Sequence, residues 1–364
     1  MPPIRTTFVI MAGGRGERLW PLVRTDRPKV CLAADGRRSL LQATIDRLRP
    51  AWPGAQWLIV TTAEQAQAVR ACLRRGGRGR QACLSASLRS HVLVEPQAKN
   101  TAACITLAAV ALAAHDPQQV MVVAPADHWF GDDAAFRRTL RAAIRAAVAH
   151  DSLATIGIRP THAHPGLGYL CAGRLVSRGR SPRIFRLVRF IEKPSADLAQ
   201  RLLRRGRTYW NSGIFVGTAD KFLECVTEWL PEHTRRLVPL ATNGLGMRRA
   251  RSAYRALTSI SFDHGVMDHL RGGLIVEGRF RWADLGSWDV WAQLASGGVA
   301  PMLVGSRNVK VISQGPHLVA AIGVQDLLIV HTPDATLVCP AGRAQRVREL
   351  VAQLRRRPEL AQFR

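Results

Sequence analysis

Near the start of the chain, Gly13, Gly14 and Gly16 are followed at short range by Arg18 and Lys29, with Arg15 among them, in the stretch VIMAGGRGERLWPLVRTDRPKV. Glycines leave backbone N–H groups uncovered, and a loop of such groups can wrap an anion, most often a phosphate. Cations beside it would oppose the phosphate charge. Two familiar glycine signatures do not fit. A P-loop requires Gly-Lys-Ser/Thr, and Gly16 is followed by Glu17; the dinucleotide fingerprint requires a third glycine where this chain has Leu19. A plain turn between a strand and a helix would use the same glycines, so the loop alone leaves both readings open.

Further along, Asp127 in VVAPADHWF follows an apolar run, and Asp284 lies in RWADLGSWD. Two carboxylates at strand ends can hold Mg²⁺, which prefers a few carboxylates plus phosphate oxygens; each residue also fits a turn aspartate. In VRFIEKPSADLAQRLL, Glu192 could accept hydrogen bonds from sugar hydroxyls and Lys193 could clamp a phosphate, or the two could form an exposed ion pair before a helix capped by Ser195. Asn211 in YWNSGIFVG brings an amide into an apolar strand, where a polyol could satisfy it. Gly168, in HPGLGYL, suits close backbone approach. Asn100 and Thr101, in VEPQAKNTAACITLAA, begin a helix whose N-terminus could face a base or phosphate, or could simply be capped.

Positioning these groups requires a sheet. Short apolar runs (TTFVIMA, QWLIVTT, SHVLVEP, QVMVVAPAD, LATIGI) alternate with helical segments near 40–49, 63–75, 101–115, 134–149 and 195–205. This alternation predicts an α/β fold with a Rossmann-like, mostly parallel sheet covered by helices on both faces. The glycine loop and APADH then sit at carboxyl ends of strands, where such sheets bind ligands. After about residue 295 short strands follow one another (NVKVIS, HLVAAIG, LLIVHT, ATLVCP) and a basic helix near 343–356 closes the chain. The expected domains are 1–295, catalytic, and 296–364, small and β-rich; no regular hexapeptide repeat marks the tail.

The 364 residues carry a formal net charge of +26, which raises nucleic acid as a partner. The arginines are dispersed, however, with only short clusters such as RRGGRGR, and no basic stripe interleaved with aromatics stands out. No specific nucleic-acid partner is expected. Only five of the 52 basic residues are lysines, and Lys29, Lys99 and Lys193 all fall in the segments named above; a compact, movable ammonium is useful where a planar guanidinium is not. Seven scattered cysteines without a C-x-x-C pair read as free thiols in a reducing cytoplasm. No segment reads as a membrane span or a signal peptide.

Taken in order, GGRGERLWPL…RPK, EPQAKNTAA, APADH, GLGY, FIEKP, WNSGIF, SFDHGVMD and WADLGSWD resemble the motifs of sugar-1-phosphate nucleotidylyltransferases, most closely the mannose-1-phosphate guanylyltransferases, from Phe8 to about Trp291. The resemblance implies a nucleotide-diphospho-sugar transferase fold and transfer of GMP from GTP to mannose 1-phosphate with Mg²⁺. In that reading Gly13, Gly14, Gly16, Glu95, Asn100 and Thr101 bind nucleotide, and Gly168, Glu192, Lys193 and Asn211 bind the sugar phosphate. Arg18 and Lys29 are catalytic, and Asp127 and Asp284 hold the metal. Departures at Val23, Val30, Lys99, Leu167 and Asp268 bear on base and sugar choice: glucose 1-phosphate with UTP or dTTP, or heptose 1-phosphate with GTP, stay open, as does a silent regulatory paralogue. A homodimer through the C-terminal domain is the expected assembly.

Overall fold

The computed structural model describes residues 4–33, 38–75, 92–177, 182–242, 247–286, 288–294 and 299–364. The expected domain boundary at 295/296, Cys83 and the end of the RRGGRGR cluster lie outside the described residues.

The part of the chain up to Leu294 contains β1 Thr6–Met11, β2 Gln56–Thr62, β3 Val92–Glu95, β4 Val120–Pro125, β5 His128–Phe130 and β6 Ala154–Ile158. It continues with β7 Tyr169–Leu175, β8 Ile184–Ile191, β9 Thr208–Thr218, β10 Leu274–Gly278 and β11 Trp282–Asp284. Its helices are α1 Leu40–Leu48, α2 Ala66–Arg75, α3 Asn100–Ala113, α4 Asp133–Ala149, α5 Ala196–Arg205, α6 Ala219–Trp229, α7 Pro231–Thr242, α8 Met247–Ala256 and α9 Trp288–Leu294. Nine strands form one sheet in the order β3-β2-β1-β4-β9-β6-β10-β8-β7. The parallel arrangement expected from the alternation holds for β3-β2-β1-β4 and for β6-β10. Strand β9 runs antiparallel to both β4 and β6, and β8 and β7 continue antiparallel, so the sheet is mixed. Parallel pairing needs a crossover, whereas β7 and β8 are near neighbours in sequence and pair as antiparallel strands.

Alternation of side chains along each strand divides the core. Phe8 and Ile10 of β1 and Val120 and Val122 of β4 pack beneath α1, α2, α4 and α5. Val9, Met121 and Val123 face the opposite way, against α3, α6, α7 and α8. Both faces are therefore covered. Side-chain caps start several helices: Ser39 accepts from Gln42 N, Asp132 from Ala135 N, and Ser195 from Leu198 N as its position in EKPSAD predicts.

Residues 299–364 contain β12 Met302–Val304, β13 Lys310–Ser313, β14 Ala320–Ile322, β15 Leu327–His331, β16 Thr336–Pro340 and α10 Val347–Arg355. Strands β12 and β14 pair in parallel, as do β13 and β15, while β16 returns antiparallel to β15. Equivalent residues stack 18 positions apart: Asn308 donates to Asp326 at 2.7 Å and Arg307 to Gln325 at 2.8 Å. The left-handed corners recur with the same period, at Gly305 and Gly323 and at Asn308 and Asp326. The tail is thus a coil of stacked parallel strands. The self-similarity of VGSRNVKVIS and IGVQDLLIVH carries that period, which a search at hexapeptide spacing overlooks.

Candidate active site

The glycine loop leaves the carboxyl end of β1, and its three glycines serve different ends. Gly16 has φ +65°, and a Cβ there would lie 2.6 Å from Cβ of Lys29. Its bare backbone therefore lets Lys29 pack against the loop. A Cβ on Gly13 would meet Thr62 and Glu95, whereas Gly14 faces open space. Among the three, only at Gly14 would a Cβ meet no protein atom.

Lys29 is 5 % exposed. Its Nζ donates to Asp127 Oδ2 at 2.6 Å and lies 3.5 Å from Asp284 Oδ1. Burial lowers the ammonium's proton affinity, but the two carboxylates more than offset that and the pKa is raised. Asp127 responds in kind: burial pushes its pKa up, and the adjacent Lys29 ammonium outweighs this and holds it below the ordinary carboxylate value. The two aspartates are brought together by the β5–β11 ribbon, whose register sets Asp284 opposite His128. Ligand atoms of Asp127, His128 and Asp284 all lie within 4.8 Å of one another, enough for a metal ion. His128 also accepts at Nδ1 from Trp282 Nε1 at 3.3 Å, and burial lowers its pKa. A neutral imidazole so bonded carries its proton on Nε2 and donates there. The two carboxylates are the anionic groups that could hold an ion here, with the His128 imidazole beside them.

An open cleft of about 250 Å³ begins at this cluster, just under the usual size of small-molecule sites. Arg18, Thr101, Gly168, Glu192, Lys193, Asn211 and Asp284 all line it. At the far end, Asn211 Nδ2 donates to Asp263 Oδ1 at 2.7 Å, and Lys193 Nζ lies 2.5 Å from Glu192 Oε1. Asp263 is not among the residues that sequence reasoning singles out, although SFDHGVMD contains it; nor are His128 and Trp282. Burial, and then the nearby charge of Glu192, push Asp263 up to about 6. Gly168 has a definite steric role: a Cβ there would meet Glu192 Oε2 at 2.6 Å. Lys193 adopts φ +42°, the left-handed region that non-glycine residues enter mainly where surrounding structure holds them.

The expected nucleotide residues are arranged less simply. Thr101 reaches the cleft, but its hydroxyl accepts from Phe262 N at 2.8 Å and so ties α3 to the segment bearing Asp263. Asn100 begins α3 with φ +66°, and its side-chain oxygen accepts from the adjacent Thr101 N. Glu95 is off the cleft wall, 4 % exposed beneath Gly13 and bonded by Tyr254 Oη at 3.3 Å. Burial pushes its carboxyl up to about 8. Lys99 Nζ caps the end of α8, donating to the carbonyls of Arg255 and Leu257.

Comparison with known proteins gives this arrangement a context. Residues 7–296 match the Nucleotidyl transferase family, and residues 302–354 match the MannoseP isomerase/GMP-like beta-helix domain. A mannose-1-phosphate guanylyltransferase of Escherichia coli K12 is 32 % identical over 95 % of this chain and 73 % of its own length. The xanthan biosynthesis protein XanB of Xanthomonas campestris pv. campestris, strain ATCC 33913, is 32 % identical with the same coverage. A crystal structure described as a mannose-1-phosphate geranyltransferase from Thermus thermophilus superposes with a TM-score of 0.79 at 31 % identity, covering 97 % of this chain and 100 % of that one.

Proposed function

Because the chain belongs to the nucleotidyl transferase family, and within it to the mannose-1-phosphate guanylyltransferases, we propose that it makes GDP-mannose from GTP and mannose 1-phosphate. The observation that carries this reading is the Lys29 ammonium lying between Asp127 and Asp284 at the head of a cleft whose other end is lined by Glu192, Asn211 and Asp263.

In this reaction a phosphate oxygen of mannose 1-phosphate attacks the α-phosphorus of GTP. A new P–O bond forms, the bond to the β-phosphate oxygen breaks, and pyrophosphate leaves with the electron pair. The attacking phosphate is already ionised, so no protein nucleophile or base is required, and catalysis is positioning plus electrostatics. Gly13, Gly14 and Gly16 line the turn that receives the triphosphate. Arg18 and Lys29 oppose its charge, and His128 offers an Nε2–H to a phosphate oxygen. Asp127 and Asp284 would hold Mg²⁺, whose charge lowers the cost of crowding phosphate oxygens together. Glu192, Asn211 and Asp263 accept from or donate to sugar hydroxyls, and Lys193 binds the sugar's phosphate. Glu95, Asn100 and Thr101 shape the base and ribose end, Glu95 from below the loop.

We read residues up to about 295 as the catalytic domain and the remainder as the β-rich domain. The exposed apolar side chains Met302, Val304 and Ile322 on β12 and β14 would meet a second copy in a homodimer. No helix among the described residues is long and apolar enough to cross a membrane, and a cytoplasmic biosynthetic enzyme fits that observation.

The deciding experiment is pyrophosphate release by the purified chain with Mg²⁺, across four nucleoside triphosphates and several sugar 1-phosphates. Release confined to GTP with mannose 1-phosphate is the expected result. Release with another pair moves the substrate assignment, and silence from a folded chain that still binds nucleotide overturns the reading.

A further inference from the structure

The segment from Glu17 to Lys29 carries both catalytic cations, yet only short 3₁₀ turns at Glu17–Leu19 and Lys29–Cys31 give it regular structure. What holds it comes from the other end of the chain. Trp20, 8 % exposed, donates from Nε1 to Phe363 O at 2.8 Å, and Thr25 N donates to Arg364 O at 2.9 Å. Arg24 spans the gap, its guanidinium 5.3 Å from the Trp20 ring centroid and 3.1 Å from Asp334. Arg355 of α10 pairs with Glu17, the residue next to Arg18, at 2.5 Å. Leu19, Leu22 and Val23 pack in one core with Val330, Val347 and Val351. The loop has no apolar core of its own; the core it joins is shared between the C-terminal domain and Leu40, Leu285, Trp288 and Trp291.

We propose that the C-terminal domain is a working part of the phosphate loop, and that Trp20 and Arg355 are positioning residues that hold Arg18 and Lys29 in register for nucleotidyl transfer. The proposal rests on the function given above. Misplacement of charged groups by a fraction of an ångström is costly where catalysis depends on preorganised positioning. Lys29 is sensitive to any such shift, because the base of its side chain packs on Gly16 while its Nζ is bonded to Asp127.

Three full-length variants test it. Trp20→Phe keeps most of the apolar ring but cannot donate to Phe363 O. Arg355→Glu sets a like charge against Glu17; an exposed ion pair contributes little to stability, so the fold should survive. Glu17→Arg combined with Arg355→Glu restores the pairing with reversed polarity. Expected are a fall of about tenfold in kcat for each of the first two, KM for mannose 1-phosphate within twofold, a thermal midpoint unchanged in Arg355→Glu, and recovery of Arg355→Glu in the double variant. Amide hydrogen exchange over residues 17–29 should quicken in the two single variants and slow again in the double one. Unchanged kcat and exchange in intact Trp20→Phe and Arg355→Glu chains would overturn the proposal. So would a loss in Arg355→Glu that tracks a lowered thermal midpoint without rescue, since it would mark a structural role only. If the wild-type chain turns over no substrate pair, the functional reading fails, and the exchange measurement alone decides the positioning claim.

Discussion

Lys29 Nζ and Asp127 Oδ2 lie 2.6 Å apart although 98 residues separate them in sequence. Each stabilises the charged form of the other in a place where burial opposes charge. Removing either partner leaves a charge without its counterpart, so Lys29→Met and Asp127→Asn should each lower turnover by about 100-fold, comparable to losing one preorganised stabilising group. Steady-state rates of GDP-mannose formation check this, and rates within threefold of wild type in both variants would contradict the assignment.

Chelation of divalent ions should abolish turnover, and added Mg²⁺ should restore it, because two carboxylates within reach of one ion meet at the cleft head. Calorimetric titration of Mg²⁺ into the chain with bound GTP gives an independent reading, and Asp284→Asn should weaken that binding. Full activity after exhaustive chelation would remove the ion from the scheme.

Gly16→Ala should damage catalysis through Lys29 rather than through the nucleotide. The new methyl would meet Lys29 Cβ at 2.6 Å, in a backbone conformation with φ +65°. The left-handed conformation alone costs an alanine roughly 1–2 kcal/mol. Thermal unfolding should register that loss, with kcat falling more than KM for GTP.

Gly168→Ala should act on the other substrate. Its methyl would meet Glu192 Oε2 at 2.6 Å and push the carboxylate out of its present position. KM for mannose 1-phosphate should rise at least tenfold if Glu192 holds a sugar hydroxyl, since a mispositioned hydrogen-bonding group costs about 1.4 kcal/mol or more. An unchanged KM would free Glu192 from that role.

Asp263 makes stability depend on pH. Its carboxyl titrates at about 6 in the fold against an ordinary 3.8, because burial and the Glu192 charge favour the neutral form. The folded state therefore binds the proton more tightly than the unfolded chain. That contribution is fully present below about pH 4 and is lost as pH rises to about 6, by about 3 kcal/mol in all. In Asp263→Asn the loss should vanish. Thermal midpoints measured from pH 4 to 7 compare the two chains, and parallel profiles would refute the effect.

Much of the architecture is legible in local patterning. The helix expected near 195–205 begins after Ser195 and ends at Gly206, whose φ of +68° closes it as a left-handed cap. The strands of TTFVIMA and QVMVVAPAD form and pair as the alternation requires. The direction of β9 is not legible in this way. TYWNSGIFVGT has strand composition in either orientation, and the antiparallel placement between β4 and β6 follows from how the chain returns to the sheet. The 18-residue coil at 302–331 is written in the sequence too, but in corners rather than in apolar repeats.

By itself, then, the sequence determined many of the elements, though not the helices over 219–256, and which residue types stand at strand ends: glycines and cations after β1, an aspartate after β4, and Glu-Lys-Pro after β8. These follow from backbone propensity and side-chain periodicity, which act over a few residues. Only the tertiary structure decided that Lys29 lies between Asp127 and Asp284 and that His128 is bonded by Trp282. It likewise brought Asp263 to Asn211, and the C-terminal domain to the back of the segment that follows the glycine loop. Those relationships depend on strand register and on burial shared between distant segments, and the electrostatics of the site exist only once burial has stripped water from the charges.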